Sequence, residues 1–168
     1  MTTSAGPEPQ SCSHPLRSLL IAQFCGAFND NAWKLMVALL AIRQATVGIA
    51  PGPELETVAQ TQTAMAFVIF TLPLMLLSLV GGTLADRVSK RTVIISSKVV
   101  EVFLMAAGTV ALWLNPAGGI LPLIVLCGMG VHSALFSPSK YGILPELVSH
   151  ERLAAGNGLL EMWTFAAI

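Results

Sequence analysis

Charge is what this sequence has least of. Nine Lys plus Arg and nine Asp plus Glu make up 11% of 168 residues, against the roughly 25% with which a soluble domain coats its surface. The two signs balance to a net charge of +0. That excludes a polybasic nucleic-acid module, and nucleic acid is not expected as a partner. Cysteine is scarce and odd in number: Cys12, Cys25 and Cys127 stand far apart, mostly in apolar surroundings. Neither a disulfide framework nor a CxxC-type metal site fits that spacing, and the three read as unpaired thiols. His14, His132 and His150 share no ligand spacing, so no metal is expected. A Walker loop, an HxxxxD acyltransferase motif and a nucleophile elbow are all missing, so neither an enzyme nor a cofactor is expected in these residues.

What the chain has instead is apolar length. Hydrophobic residues reach 54% and mean hydropathy is +0.73. Residues 1–16, rich in Pro, Ser and Thr, read as a flexible polar tail. The apolar run after it is too long for a cleaved signal peptide and contains Asp30 and Lys34. At 1.5 Å per residue it covers roughly 35–40 Å, enough to cross a hydrocarbon core with some tilt. Transmembrane helices are expected over 18–45, 58–84, 92–114 and 119–137, with a fifth over 153–168 that is too short to span. Residues 17–168 thus form a partial helical bundle, and the chain is expected to end inside a helix. Pro73 should loosen or kink the second helix, and Gly128 and Gly130 offer small contact surfaces on the fourth. Lys98 and Glu101, three apart, suit a buried pair on the third.

Basic connections alternate with neutral or acidic ones. Arg17 precedes the first helix, Arg87, Lys90 and Arg91 fill the second connection, Glu54 and Glu56 occupy the first, and the third, NPAGG, carries no charge. By the positive-inside rule the amino terminus, the 86–91 loop and the 140–152 connection face the cytoplasm, with Arg43 the one dissenter.

Three clusters carry information. Gln23, Ala27, Asp30 and Lys34 follow the three-four spacing of one helical face, with Asn29 and Asn31 flanking the carboxylate. Such a face should not meet lipid. Either Asp30 and Lys34 neutralise each other and glue helices together, or they line a polar cavity or proton-coupling site. In the second cluster Gly82 permits close packing, Asp86 can cap a helix or pair with a base, and Arg87, Lys90 and Arg91 hold the loop at an anionic leaflet. In the third, Pro138 ends or kinks helix four, Lys140 and Tyr141 anchor at the interface, and Glu161 falls within the fifth helix. His132 reads as a packed or water-bonded residue.

The order Gly82, Leu84, Asp86, Arg87, Lys90, Arg91 resembles the signature loop of the major facilitator superfamily, G-x-L-a-D-r-x-G-r-k. Ser89 stands where that pattern has glycine, which weakens the case for a left-handed turn there. The string Ser137, Pro138, Lys140, Tyr141, Gly142, Ile143, Leu144, Glu146, Leu147, followed by Asn157, Gly158, Leu159 and Glu161, resembles bacterial lysophospholipid transporters. So do Ala22, Gln23, Phe24, Ala27, Phe28, Asp30, Asn31 and Ala32, while Lys34 departs from the apolar continuation usual there. The resemblance implies an all-α membrane protein, the N-terminal portion of a major facilitator bundle with four transmembrane helices and the start of a fifth. It implies a multi-pass protein of the bacterial inner membrane that moves lysophosphatidylethanolamine-like lipid by alternating access once the full chain is present. Gln23, Asp30, Asn31, Lys34 and Glu161 would then line the substrate cavity. Partners implied are the lipid bilayer, the lysophospholipid, and an acyltransferase and acyl-carrier-protein ligase, fused or separate. Transport of another small solute and an anchor role for a fused acyltransferase remain as alternatives.

Overall fold

The computed structural model describes residues 13–168, except for the side chains of residues 13–15, 84–86 and 136. Cys12 and most of the expected 1–16 tail lie outside the described residues. Every regular element among the described residues is helical. Helix α1 runs Ser13–Ala45, α2 Pro53–Arg87, α3 Lys90–Leu114 and α4 Ile120–Gly142. A short α5, Leu144–Leu147, and a 3-10 turn, His150–Arg152, lead into α6, Leu153–Ala166.

The helix starts follow from local chemistry. Pro53 opens α2 with Glu54 and Glu56 in its first turn, a proline in the one place where its missing N–H costs nothing and acids where the helix dipole favours them. Ser89 caps α3: its φ is −58° and its Oγ accepts from the Thr92 N–H at 3.3 Å. The α2–α3 turn therefore has no left-handed residue. Left-handed backbone occurs instead at Gly118 and Gly119, with φ of 101° and 111°, where the chain reverses between α3 and α4.

By contacts the chain divides into two units, Asn29–Gly142 and the stretch up to Phe28 together with Ile143–Ile168, with α1 running through both. In the larger unit α4 is the central helix, packed most extensively on α2 and next on α3. Its core joins Trp33, Val37 and Ala38 of α1, Ala66 and Phe70 of α2, Ala111 of α3, and Val125, Leu126 and Met129 of α4. Without a hydrophobic drive between helices in lipid, close approach has to come from small residues. Gly130 provides one: a Cβ there would meet the Phe70 carbonyl and stand 2.9 Å from Pro73 Cγ. Gly81 provides the other, because a Cβ there would run into the Ala134 carbonyl.

Two expectations need correction here. Gly82 makes no close contact; nothing lies within 4 Å of its Cβ position, and the packing glycine is its neighbour Gly81. Nor does Pro138 end α4, which continues to Gly142. Proline has no N–H to give the carbonyl four residues earlier, and that carbonyl belongs to Ala134, the one that faces Gly81. A backbone group freed by Pro138 is thus brought against a neighbouring helix instead of terminating its own. On α3, Gly108 leaves room for the Trp33 ring, whose Cη2 would lie 2.6 Å from a Cβ.

The outer faces are apolar, with Leu72, Met75, Leu76 and Leu79 of α2 and Val102 and Phe103 of α3 exposed. So broad an apolar surface suits lipid rather than water. By length and composition three helical stretches can cross a membrane: Pro53–Thr83, Lys90–Leu114 and Ile120–Leu147. α1 is not among them despite its 33 residues, because Gln23, Asn29, Asp30, Asn31 and Lys34 dilute its hydropathy. α6, at 14 residues, would reach about 21 Å, short of a bilayer core.

In the smaller unit Leu144 and Leu160 are fully buried, and Gly156 lies against Leu144, 3.3 Å separating its Cβ position from Cδ2. Phe24 meets Trp163 edge to face with ring centroids 5.6 Å apart. Gln23 Nε2 donates to Thr164 Oγ1 at 2.9 Å, and that hydroxyl donates on to the Leu160 carbonyl.

Candidate functional site

Asp30 and Lys34 lie on the buried side of α1. Trp33, Val37 and Ala38 face the core of the larger unit, and at 100° per residue Asp30 and Lys34 fall within the same arc, whereas Leu35 and Leu39 are exposed. Asp30 accepts a hydrogen bond from Ser133 Oγ of α4 at 3.0 Å. Lys140, Glu101 and His132 stand within electrostatic reach of the same carboxylate. His132 is buried, and its Nε2 must carry the proton, because it lies 2.9 Å from the Ser97 carbonyl, which can only accept. Lys98 and Glu101 close an ion pair of 2.6 Å on α3, the carboxylate side well covered and the ammonium side more open. Ser139 is fully buried, and its Oγ has no hydrogen-bond partner among the described residues. A polar seam therefore runs between α1, α3 and α4 through otherwise apolar packing.

The expected alternative of Asp30 and Lys34 pairing with each other is not what forms. The Lys34 ammonium sits 4.5 Å from the Phe70 ring centroid and 5.6 Å from that of Phe67, both on α2. These are cation–π distances. Further along the same face of α1, Val37, Ala41 and Gln44 line a cavity of about 180 Å³ together with Gln62 of α2 and Pro122 of α4.

The remaining expected residues are distributed as follows. Gln23 and Glu161 belong to the smaller unit, Gln23 buried against Thr164 and Glu161 half-buried on α6. Asn31 is half-buried beside Asp30. Of the signature loop, the Leu84 and Asp86 side chains lie outside the described residues. Arg87 ends α2, Lys90 begins α3, and Arg87 and Arg91 are exposed. The Lys90 stem lies along Gly142, 3.3 Å separating Cε from the glycine's Cβ position, so the start of α3 touches the end of α4. Of the α4–α6 motif, Ser137 and Pro138 are half-buried within α4, Tyr141 is exposed at its end, Glu146 is exposed on α5, and Asn157 and Gly158 are exposed on α6. Lys140 is not the interfacial anchor expected of it, since it is half-buried within reach of Asp30. Sequence reading missed Ser133, Phe67 and Phe70. The one signal for Ser133 was its position seven residues before Lys140, two helical turns along the same face.

Long apolar helices around a seam of buried charge define a multi-pass membrane protein of the transporter kind. The family described as transmembrane secretion effector, a branch of the major facilitator superfamily, matches residues 55–162. The chain belongs to that family. It is 34% identical over 168 residues to the lysophospholipid transporter LplT of Salmonella arizonae, a match that takes in 100% of this chain and 37% of that protein. Against LplT of Photorhabdus laumondii identity is 33% over 153 residues, 91% of this chain and 33% of the relative. Against LplT of Klebsiella pneumoniae it is 33% over 169 residues, 100% of this chain and 37% of the relative. The chain thus spans about a third of the length of the curated relatives it matches. No solved structure matches it. Family and relatives alike place the chain with membrane transport rather than with an enzyme.

Proposed function

We propose that this chain is the N-terminal portion of a lysophospholipid transporter that moves a single-chain phospholipid across the bacterial inner membrane by alternating access. The observation that carries the reading is the half-buried Asp30, hydrogen-bonded by Ser133 on the packed face of α1. An ionised group so placed marks a substrate or coupling site more often than a structural one. Major facilitator transporters rock two helical halves around a midplane site, and the residues described here belong to the first half. Asp30, Asn31 and Lys34, with Lys140 of α4, would line its wall, and Gln23 and Glu161 of the smaller unit would contribute further polar groups. The positive charge at residues 87–91 supports an orientation with the amino terminus and the α2–α3 turn in the cytoplasm. Delivered lysolipid would there meet an acyltransferase and an acyl-carrier-protein ligase.

The test is uptake of labelled lysophosphatidylethanolamine by spheroplasts carrying the full-length protein. Asp30→Asn keeps the shape and the hydrogen bond to Ser133 but removes the charge, and uptake should fall by about tenfold or more, the loss of one charge-assisted contact. An unchanged rate would remove Asp30 from the site. Competition by a sugar or a drug in place of unlabelled lysolipid would assign the scaffold to another solute.

A further inference from the structure

Lys34 is a cation placed in the middle of a long helix, on the face that packs into the bundle. The nearest carboxylate along its own helix is one turn away, at the spacing where opposite charges pair most readily. They do not pair. Asp30 is engaged by Ser133 at 3.0 Å, and the Lys34 ammonium rests on the Phe70 and Phe67 rings at 4.5 and 5.6 Å. Two opposite charges are therefore held side by side and separate, each by a neutral partner from another helix.

The kind of partner matters. A ring face holds a cation through its quadrupole and occupies no hydrogen-bond acceptor, whereas an ammonium has three N–H donors to place. Among the described residues no oxygen lies within hydrogen-bond distance of Lys34, so those donors are left for an acceptor-rich anion. A phosphate suits them best, because charge-assisted bonds to phosphate oxygens are short and strong in a water-poor site. The two rings also differ. Phe70 is 7% exposed and fixed in the core, and Phe67 is 55% exposed. One wall of the aromatic pair is thus rigid and the other lies open to an incoming ligand.

We infer that Lys34 selects the anionic group of the substrate: the aromatic pair holds its ammonium ready for a lipid phosphate, while Asp30, one turn away, faces the cationic end of the same headgroup. This rests on the lysophospholipid reading above and deepens it by naming the residue that distinguishes a phosphate-bearing single-chain lipid from an uncharged one. It also gives a role to the position at which this chain departs from the apolar pattern of the lysophospholipid transporters.

The experiment measures displacement of fluorescent lysophosphatidylethanolamine from the full-length protein in lipid nanodiscs by two competitors with the same acyl tail. Lysophosphatidic acid carries the phosphate without the ammonium, and monoacylglycerol carries neither. The wild-type protein should prefer lysophosphatidic acid over monoacylglycerol, and Lys34→Met should reduce that preference by about tenfold, the value of one charged hydrogen bond. Lys34→Arg, which keeps charge and donors, should retain it. An apolar residue at mid-helix in a bilayer does not threaten insertion, so lost preference in Lys34→Met is not a folding defect. A preference undiminished in Lys34→Met, or lost equally in Lys34→Arg, overturns the inference and leaves the lysophospholipid reading standing. Failure of the wild-type protein to bind any lysolipid overturns both.

Discussion

Replacing Gly81 and Gly82 by alanine, one at a time, tests the α2–α4 contact at two adjacent positions whose side chains would point about 100° apart. At Gly81 the new methyl meets the Ala134 carbonyl, with Ala134 C and Leu135 Cα each 3.0 Å away. All three are backbone atoms, and none can rotate aside. The helices have to separate by on the order of 1 Å, a gap at which neighbouring atom pairs forfeit a quarter to a half of their attraction. Overpacking of this kind costs about 1–3 kcal/mol. At Gly82 nothing lies within 4 Å of the added atom, and only the backbone benefit of alanine over glycine remains, about 0.5–1 kcal/mol in favour of folding. Because both variants share that benefit, the difference between them is the overpacking cost alone. Equilibrium unfolding in mixed detergent–SDS micelles should rank Gly82→Ala above wild type and Gly81→Ala below Gly82→Ala by about 1–3 kcal/mol. Equal stabilisation of both variants would show that α2 and α4 do not approach as closely as described, and the packing argument would fall with it.

Two further outcomes are expected. Glu101→Leu leaves Lys98 without its 2.6 Å partner, so it should destabilise more than the double change Lys98→Met with Glu101→Leu, which removes both charges; additive effects in the same unfolding assay would mean that the pair is not coupled. Val88 lies exposed in the α2–α3 turn, and Val88→Cys should react with a charged, membrane-impermeant maleimide in inside-out vesicles and not in intact spheroplasts. Labelling in spheroplasts would reverse the proposed orientation.

The spans were legible because each is an apolar run, and hydropathy needs no knowledge of neighbours. Their ends were less so. The reading stopped the second helix at Val58 because the hydropathy stopped there, although Pro53 with Glu54 and Glu56 is itself a start signal. Pro138 looked like a terminator because the rule treats the helix alone, and Gly81, which takes up the released carbonyl, lies 57 positions earlier in the chain by number. Gly81 and Gly82 are alike in composition, and only the placement of α4 decides which is the contact. At the site, the i, i+4 spacing of Asp30 and Lys34 suggested an ion pair because local spacing shows nothing else. Their actual partners are Ser133, 103 residues away from Asp30, and two phenylalanines of the next helix. Local arithmetic can place a charge on a face, but it cannot say what will meet it there.

The dilution of α1 has a consequence for how the molecule is made. Asp30 and Lys34 each disfavour membrane insertion by roughly 2.5–3.5 kcal/mol near a helix centre, and α1 is the first helix to leave the ribosome. The rings that receive Lys34 come with α2 and the hydroxyl that receives Asp30 with α4. Until then α1 has only its own sequence to hold it in the bilayer. Its residence there is provisional during synthesis and is made secure by helices translated after it, so the order of assembly runs backward from the order of the chain.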